Sequence, residues 1–471
     1  MAESCCNLSV KILDKCLVCP PSGSVPTTHL PLSFFDIIWL RHAPKCRLFF
    51  YKFPHSTAHF TDTILPSLKQ SLSLTLQHFY PFCGKLIVPP QPQKPHLLYT
   101  PQDSVHLVIA ESDSPHFHAL LPDHPKDAKD VYQLFPDWPE FGFLSDGTQL
   151  IPLLTLQITI FPYQGLSVAV SFLHVAVDGP ALHHFIKSWA SIFAGKELDA
   201  PPPFHDRTVV QDPHGLESAF LRLHWSIPGP INFYTEPISQ RLGDKVRATL
   251  SLSKHQIERL KNWGKSQITK LGQPLEMESP YFSSFVVTCS LVWVCFVVSH
   301  AGRESELVWE DELCCFSFVA NCRNGRLGYP IPRGYFGNCL AYCVAAIKKS
   351  EVLGGNGMVV GMKAIGKRVE EVEKEAVGNM VEEISVWMKS AESGIAVAVV
   401  GSPILGAYDT NFGWGRPIKT EVLQIDSGRL FCLGESRDEK GGIEVGLALS
   451  SPHMARFVAV WEQNLKLFGC L

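Results

Sequence analysis

The residues with the clearest capacity for chemistry lie at 174–179, with the sequence HVAVDG. Histidine is the side chain best suited to accept a proton near neutral pH. One ring nitrogen acts as a base only when the imidazole is held in the tautomer that carries its proton on the other nitrogen. Asp178 could hold that second nitrogen of His174 directly, or could instead pin the turn that carries the imidazole. On spacing alone, a histidine with purely local hydrogen bonds is a third interpretation, because the chain contains 19 histidines.

A second segment, 408–417 with the sequence YDTNFGWGRP, places Phe412 and Trp414 beside two glycines. Such a composition is typical of a tight, rigid turn that buries an aromatic ring. The segment has too few titratable groups for direct chemistry. We therefore expect it to have a structural role.

Taken together, the two segments resemble the plant BAHD acyltransferases, which move acyl groups from coenzyme A thioesters to hydroxyls or amines. The resemblance covers nearly the whole chain, through the segments Leu30–Asp36 (LPLSFFD), Leu68–Leu72 (LKQSL), Phe79–Leu86 (FYPFCGKL) and Tyr335–Cys339 (YFGNC). In that family YFGNC, together with Gly401-Ser402-Pro403, is typical of the branch that acylates sugars on flavonoid and other phenolic glycosides.

The resemblance implies an α/β fold of two chloramphenicol-acetyltransferase-like domains, with mixed sheets and a channel between them. By the same resemblance His174 is the general base in that channel. Asp178 would point away from it and pair with an arginine, for which Arg323 is the candidate. Phe35 and Asp36 are expected to contact the acceptor. Support of the site is expected from the second segment, at Asn411, Phe412, Gly413, Trp414 and Gly415.

One residue departs from the family pattern, because Asn411 stands where aspartate is most common. Asparagine keeps the shape and an acceptor oxygen but loses the charge. The order of the loop is therefore expected to be weaker, unless Asp409 compensates.

The resemblance also implies the substrates: an acyl coenzyme A as co-substrate, a phenolic or flavonoid glycoside as acceptor, and no permanently bound cofactor. We favour malonyl as the acyl group, because the YFGNC branch contains many malonyltransferases. A malonyl carboxylate needs a cation, however, and the residues after the base offer none before Lys187. A hydroxycinnamoyl donor therefore stays open. So do an amine or aliphatic alcohol as acceptor, and a non-catalytic protein that only binds coenzyme A or glycosides.

The elements that must position His174 are predicted from periodicity. Residues 154–161 and 167–173 alternate as the two strands of a hairpin, and the second strand leads directly into His174. From Leu182 to Phe193 apolar residues recur at helical spacing, and Gly195 ends the pattern. The base is thus predicted at the end of a strand, before a helix.

Strands and helices alternate along the whole chain, which predicts an α/β fold with mixed sheets. The proline-rich and polar stretch at 201–216 is typical of a linker. We expect an N-terminal domain at 1–200 carrying His174. The C-terminal domain is expected at 217–471, carrying YFGNC and NFGWG.

Composition excludes several classes of partner. A net charge of −4 provides no basic field for nucleic acid. The longest apolar run, Phe285–Val298, is too short for a membrane helix and predicts a buried core segment. The chain start lacks the features of a signal peptide, so a cytoplasmic location is expected. The scattered cysteines include only a single C-x-x-C pair at Cys16–Cys19, so we expect reduced thiols and no metal site. A monomer is expected.

Overall fold

The structure, a computed structural model, describes residues 8–233, 238–270, 282–300, 312–393 and 396–470. The chain divides into two compact units. Unit 1 takes the described residues up to Arg241, together with Ile331–Cys339 and Leu405–Gln424. Unit 2 takes the described residues of Leu242–Pro330, Leu340–Ile404 and those from Ile425 onward.

This division differs from the linear boundary expected at 201–216. The described residues of 217–241 belong to unit 1, and so do two segments from the second half of the chain. The first, which contains YFGNC, pairs through Tyr335 with Phe204. The second contains NFGWG and provides a strand of the unit 1 sheet. Such returning segments leave no periodic pattern in the sequence, because residues far apart in the chain pair only in the folded structure.

The strands are, in chain order, β1 Val10–Val18, β2 Thr28–Pro31, β3 Lys45–Lys52, β4 Lys85–Val88, β5 His96–Tyr99, β6 Val105–Ser112, β7 Lys126–Asp127, β8 Gly142–Phe143, β9 Gln149–Pro152, β10 Leu154–Phe161, β11 Gly165–Phe172, β12 Lys245–Leu252, β13 Leu313–Asn321, β14 Leu340–Lys348, β15 Ala396–Gly401, β16 Lys419–Val422, β17 Leu430–Glu435 and β18 Ile443–Ser450.

The α-helices are, in chain order, α1 Phe34–Ile37, α2 Thr57–His59, α3 Leu65–His78, α4 Ser114–Leu120, α5 Ala128–Tyr132, α6 Gly179–Phe193, α7 Leu216–Ser226, α8 Ile238–Leu242, α9 Lys254–Lys270, α10 Ser284–His300, α11 Lys349–Leu353, α12 Gly357–Lys374, α13 Met380–Ser393 and α14 Ser451–Leu467.

Unit 1 contains two sheets. The larger has the order β1-β6-β10-β11-β3-β16 and is mixed, because β10 runs parallel to β6 while its other neighbour, β11, is antiparallel. The smaller has the order β2-β5-β4-β9-β8 and is antiparallel. Within unit 2 the strand order is β14-β13-β15-β17-β18-β12, and β15 is parallel to both of its neighbours. The predicted α/β class with mixed sheets is confirmed.

The predicted hairpin is β10–β11, paired from Leu154 opposite Phe172 to Phe161 opposite Gly165. Every residue of both strands is buried. The alternation in the sequence therefore does not separate a solvent-exposed face of the sheet from a buried one. It marks two covered faces in the middle of a six-stranded sheet, and β11 leads from there directly to His174.

The apolar run predicted as a buried core segment forms α10 in unit 2, and its side chains are buried all round. No helix among the described residues has the length and apolar character that crossing a membrane requires.

Candidate active site

His174 lies in the short connection between β11 and α6, as the sequence predicts. The indole of Trp39 stacks on its imidazole, with ring centroids 3.9 Å apart and an interplanar angle of 19°. The Phe172 ring, on the strand that precedes it, lies 6.1 Å away. The ring orientation of His174 is therefore fixed by two aromatic neighbours.

The two nitrogens of this imidazole have different environments. Nδ1 is buried and has no hydrogen-bond partner among the described residues, whereas the residue as a whole keeps part of its surface accessible. Burial is the main cause that lowers the pKa of His174, to about 3, and the charge of Lys45 lowers it further. The side chain of Asn338 acts in the opposite direction. The imidazole is therefore neutral at physiological pH and has a nitrogen lone pair available to accept a proton.

Two buried side chains hold the backbone of the 174–179 turn. Asn338 donates from Nδ2 to the carbonyl of His174 at 2.8 Å. Arg207 donates from Nη2 to the carbonyl of Ala176 at 2.7 Å. Each bond fixes a carbonyl that no regular strand or helix satisfies, so together they fix the direction in which the imidazole points.

Asp36 joins these two side chains. One of its oxygens accepts from the backbone N and from Nδ2 of Asn338, at 3.0 and 2.9 Å. The other lies 2.9 Å from Nη1 of Arg207, and both side chains are fully buried. The hydroxyl of Ser33 donates to the same oxygen at 2.7 Å. Asp36, Arg207 and Asn338 thus form one buried network, called here the turn anchor.

The turn anchor corrects the expectation for Phe35 and Asp36. Both are completely buried, and Asp36 has all its described partners inside the protein. A side chain with no accessible surface cannot contact an acceptor. Asp36 acts on the site indirectly, by ordering Arg207 and Asn338.

Asp178 is also buried and serves as the N-cap of α6, where Oδ1 accepts from the backbone N of Ala181 at 3.2 Å. Its Oδ2 accepts from the backbone N of Cys339, in YFGNC, at 3.0 Å. These two bonds attach the turn to the helix and to YFGNC. They fit the role of pinning the turn that carries the imidazole, rather than that of holding its second nitrogen. Arg323 lies in unit 2, just after β13, and its pairing with Asp178 stays a prediction.

The NFGWG segment packs its rings around α6 and β3. Phe412 is buried and meets Trp189 of α6 edge to face, at 5.0 Å between centroids. It also meets Tyr51 of β3, at 5.9 Å, and Trp414 stacks beside it at 5.3 Å. The segment therefore braces α6, the helix that follows His174.

Asn411 orders this loop through its oxygen. Oδ1 accepts from the backbone N of Gly413 at 2.8 Å and from that of Gly415 at 3.1 Å. Both glycines have positive φ, near +93° and +95°, a conformation that other residues rarely adopt. Arg416 lies 3.6 Å from Asp409, so the loop has an ion pair without a charge at position 411.

Sequence reasoning missed two residues of this arrangement. Trp39 follows LPLSFFD by three positions and has no motif of its own. Arg207 lies in the stretch that was interpreted as a linker. Asn338 had a signal, because it is the asparagine of YFGNC. Among the described residues no group of three or more His, Cys, Asp or Glu side chains is placed to hold a metal ion.

Comparisons with known proteins support the family resemblance. A family model described as the Transferase family matches residues 8–464. A coumaroyl-CoA:anthocyanidin 3-O-glucoside-6''-O-coumaroyltransferase of Arabidopsis thaliana is 35% identical, over 98% of this chain and 98% of that protein. A malonyl-coenzyme A:anthocyanin 3-O-glucoside-6''-O-malonyltransferase of Dahlia pinnata is also 35% identical, over 97% and 98%.

The fold has counterparts among solved structures. Vinorine synthase superposes with a TM-score of 0.67 at 18% identity, over 95% of this chain and 96% of that one. A TRI101 protein of F. sporotrichioides, solved with coenzyme A and T-2, gives 0.60 at 14% identity, over 93% and 98%. The chain therefore belongs to the Transferase family, that of the BAHD acyltransferases, and is an acyltransferase.

Proposed function

We propose that this protein transfers an acyl group from an acyl coenzyme A to a sugar hydroxyl of a phenolic or flavonoid glycoside. The observation that carries the proposal is the neutral, partly accessible imidazole of His174 on an anchored turn. The relatives named above support the substrate classes, since their names specify acyl coenzyme A donors and anthocyanin or anthocyanidin glucosides.

In the proposed reaction His174 is the general base, acting through Nε2 because Nδ1 is the buried nitrogen. No hydrogen bond among the described residues holds the proton on Nδ1, so this tautomer is itself part of the proposal. As the sugar oxygen bonds to the thioester carbonyl carbon, Nε2 takes the hydroxyl proton. The tetrahedral intermediate then collapses, the carbon–sulfur bond breaks, and the thiolate of coenzyme A receives the proton. Both substrates are bound together and no acyl-enzyme forms, since the thioester is already activated.

The turn anchor supports this chemistry through positioning. A proton transfer requires the base within hydrogen-bond reach of the hydroxyl, and a small displacement of the ring slows it strongly. The hydrogen bonds of Asn338 and Arg207 to the turn carbonyls, and the stacking of Trp39, set that position before substrate arrives.

The donor is the finer part of the proposal. Malonyl is favoured from the sequence and hydroxycinnamoyl is the alternative, and relatives of both kinds are equally similar to this chain. We also propose that the protein works as a cytoplasmic monomer without a permanently bound cofactor. Its only proposed partners are the two small-molecule substrates.

The proposal is tested by measuring the release of free thiol from a panel of acyl coenzyme A donors. Each donor is combined with each of a set of phenolic and flavonoid glucosides. Product identity is checked by mass spectrometry. His174→Ala should lower kcat by roughly 10²- to 10⁴-fold at an unchanged melting temperature. His118→Ala is the matched control, because His118 is exposed on α4.

Two results would count against the proposal. Turnover retained in His174→Ala would exclude that residue as the base. Binding of coenzyme A or a glucoside without turnover for any pair would favour the non-catalytic alternative instead.

A further inference from the structure

Two cations lie on one face of β3, near the catalytic turn. In the antiparallel pairing with β11, Lys45 is opposite Phe172 and Arg47 is opposite Val170. Side chains two apart on a strand share a face. That face continues to Phe49 and Tyr51, whose rings meet His183 of α6 and Phe412. Lys45 is therefore on the α6 side of the sheet, at the end where β11 leads into His174.

The electrostatics of the site agree with the position of Lys45 that the strand register gives. Its charge lowers the pKa of His174 and also that of His42. Both imidazoles contact Trp39, at 3.9 and 4.9 Å between ring centroids. Arg47 acts in the same direction on His174 and on Lys45. The surroundings of the base are therefore positively charged.

Lys45 has no carboxylate within 4 Å among the described residues, in contrast to three other shielded cations of this unit. Lys126 and Lys419 both pair with Glu421, and Arg207 pairs with Asp36. Burial lowers the pKa of Lys45 to about 8, so the ammonium is still mainly charged at neutral pH. An ammonium that is partly stripped of water and lacks an anion is costly, unless an anion arrives with a ligand.

We propose that Lys45, assisted by Arg47, forms an anion subsite beside His174 that receives the free carboxylate of a dicarboxylic acyl donor such as malonyl coenzyme A. This inference rests on the proposed acyl transfer at His174. Lys45 would provide the cation that a malonyl carboxylate needs and that the residues directly after His174 do not offer. An aromatic acyl tail would offer the ammonium only a cation–π contact, which is weaker than a charge-assisted hydrogen bond to a carboxylate.

The phosphates of coenzyme A are the other source of an anion. They are separated from the thioester by the pantetheine arm, whereas a malonyl carboxylate is attached to the reacting carbonyl through a single methylene. A cation beside the base is therefore suited to the acyl carboxylate. The two sources can be distinguished by experiment. A contact with a coenzyme A phosphate would strengthen the binding of every acyl donor equally, whereas a contact with the acyl carboxylate would strengthen only that of a dicarboxylic donor.

The test compares malonyl-CoA with butyryl-CoA, an uncharged donor of similar size, in the full-length protein and in Lys45→Met. We expect the ratio of kcat/KM for malonyl-CoA to kcat/KM for butyryl-CoA to fall by about 10- to 100-fold, the usual effect of losing a hydrogen bond to a charged group. Lys45→Arg should restore most of the ratio. Lys52→Met is the matched control, because it makes the same change at the exposed, opposite end of β3.

Equilibrium binding by calorimetry separates this inference from the proposed function. The wild-type protein should bind malonyl-CoA more tightly than butyryl-CoA, and Lys45→Met should lose that preference, whether or not a glucoside is turned over. A preference unchanged in both Lys45→Met and Lys45→Gln would overturn the subsite. Equal weakening of both donors would assign Lys45 to coenzyme A itself and would also overturn it. If Lys45→Met does not fold, the Lys45→Gln variant decides alone.

Discussion

Asp36→Ala tests whether the turn anchor holds the base. The substitution removes the only described carboxylate beside Arg207, whose guanidinium then stays buried without a counter-charge. Breaking such a pair costs about 3–5 kcal/mol. At about 2–4 °C per kcal/mol for a unit of this size, the melting temperature should fall by roughly 6–20 °C. The loss is large because all the partners of Asp36 are inside the protein.

The same change should reduce catalysis in the variant that remains folded. Asn338 loses its acceptor at Oδ1 of Asp36, so its bond to the carbonyl of His174 is no longer fixed. We expect kcat to fall more than the apparent affinity for acyl coenzyme A, because the base moves while the binding surfaces stay.

The measurement is thermal and urea unfolding of the purified protein, followed by thiol-release kinetics well below the new melting temperature. Adding Arg207→Met to Asp36→Ala should recover part of the stability, because the stranded charge is removed. Asp62→Ala, at an exposed aspartate, should stay within about 0.5 kcal/mol of wild type. A melting temperature within 2 °C of wild type for Asp36→Ala would refute the reasoning.

Three further outcomes follow from the same structure. Asn411→Asp should leave the free energy of unfolding unchanged or raise it by up to about 0.5 kcal/mol, because an exposed carboxylate accepts the same two backbone hydrogen bonds more strongly. A loss above about 1 kcal/mol in urea unfolding would contradict this. Phe412→Ala should cost about 3–5 kcal/mol, because the ring is buried against Trp189, and an unchanged melting temperature would show that the loop does not brace α6. Burial lowers the pKa of His183 to about 3, so as the pH falls below its unfolded value near 6.5 only the unfolded chain takes up the proton. The free energy of unfolding should therefore decrease by about 1.4 kcal/mol per pH unit between about pH 6 and 4 from this residue, and His183→Gln should remove that part of the slope in melting temperature against pH.

Local patterns were enough for the parts of the site that are local in space. The β11–turn–α6 unit that carries His174 follows from alternation, a histidine, an N-capping aspartate and a helical repeat, all within thirty residues. The NFGWG loop is equally local, because Asn411 caps glycines two and four positions later. Such features depend on backbone propensities and short-range hydrogen bonds, which adjacent residues specify.

The tertiary structure decided which distant residues act on the base. Asp36, Arg207 and Asn338 are far apart in the chain, and only folding brings their charges and amides together behind the turn. Burial likewise removed Phe35 and Asp36 from the candidates for acceptor contact. The positive surroundings of His174 come from β3, which no motif connects to the base. Sequence by itself determined the element types and the family, and it supplied the proposed base, because these depend on local order and motif. Strand pairing and the burial of charged groups depend on residues that are neighbours only in three dimensions, so only the folded chain shows the turn anchor and the lowered pKa of His174.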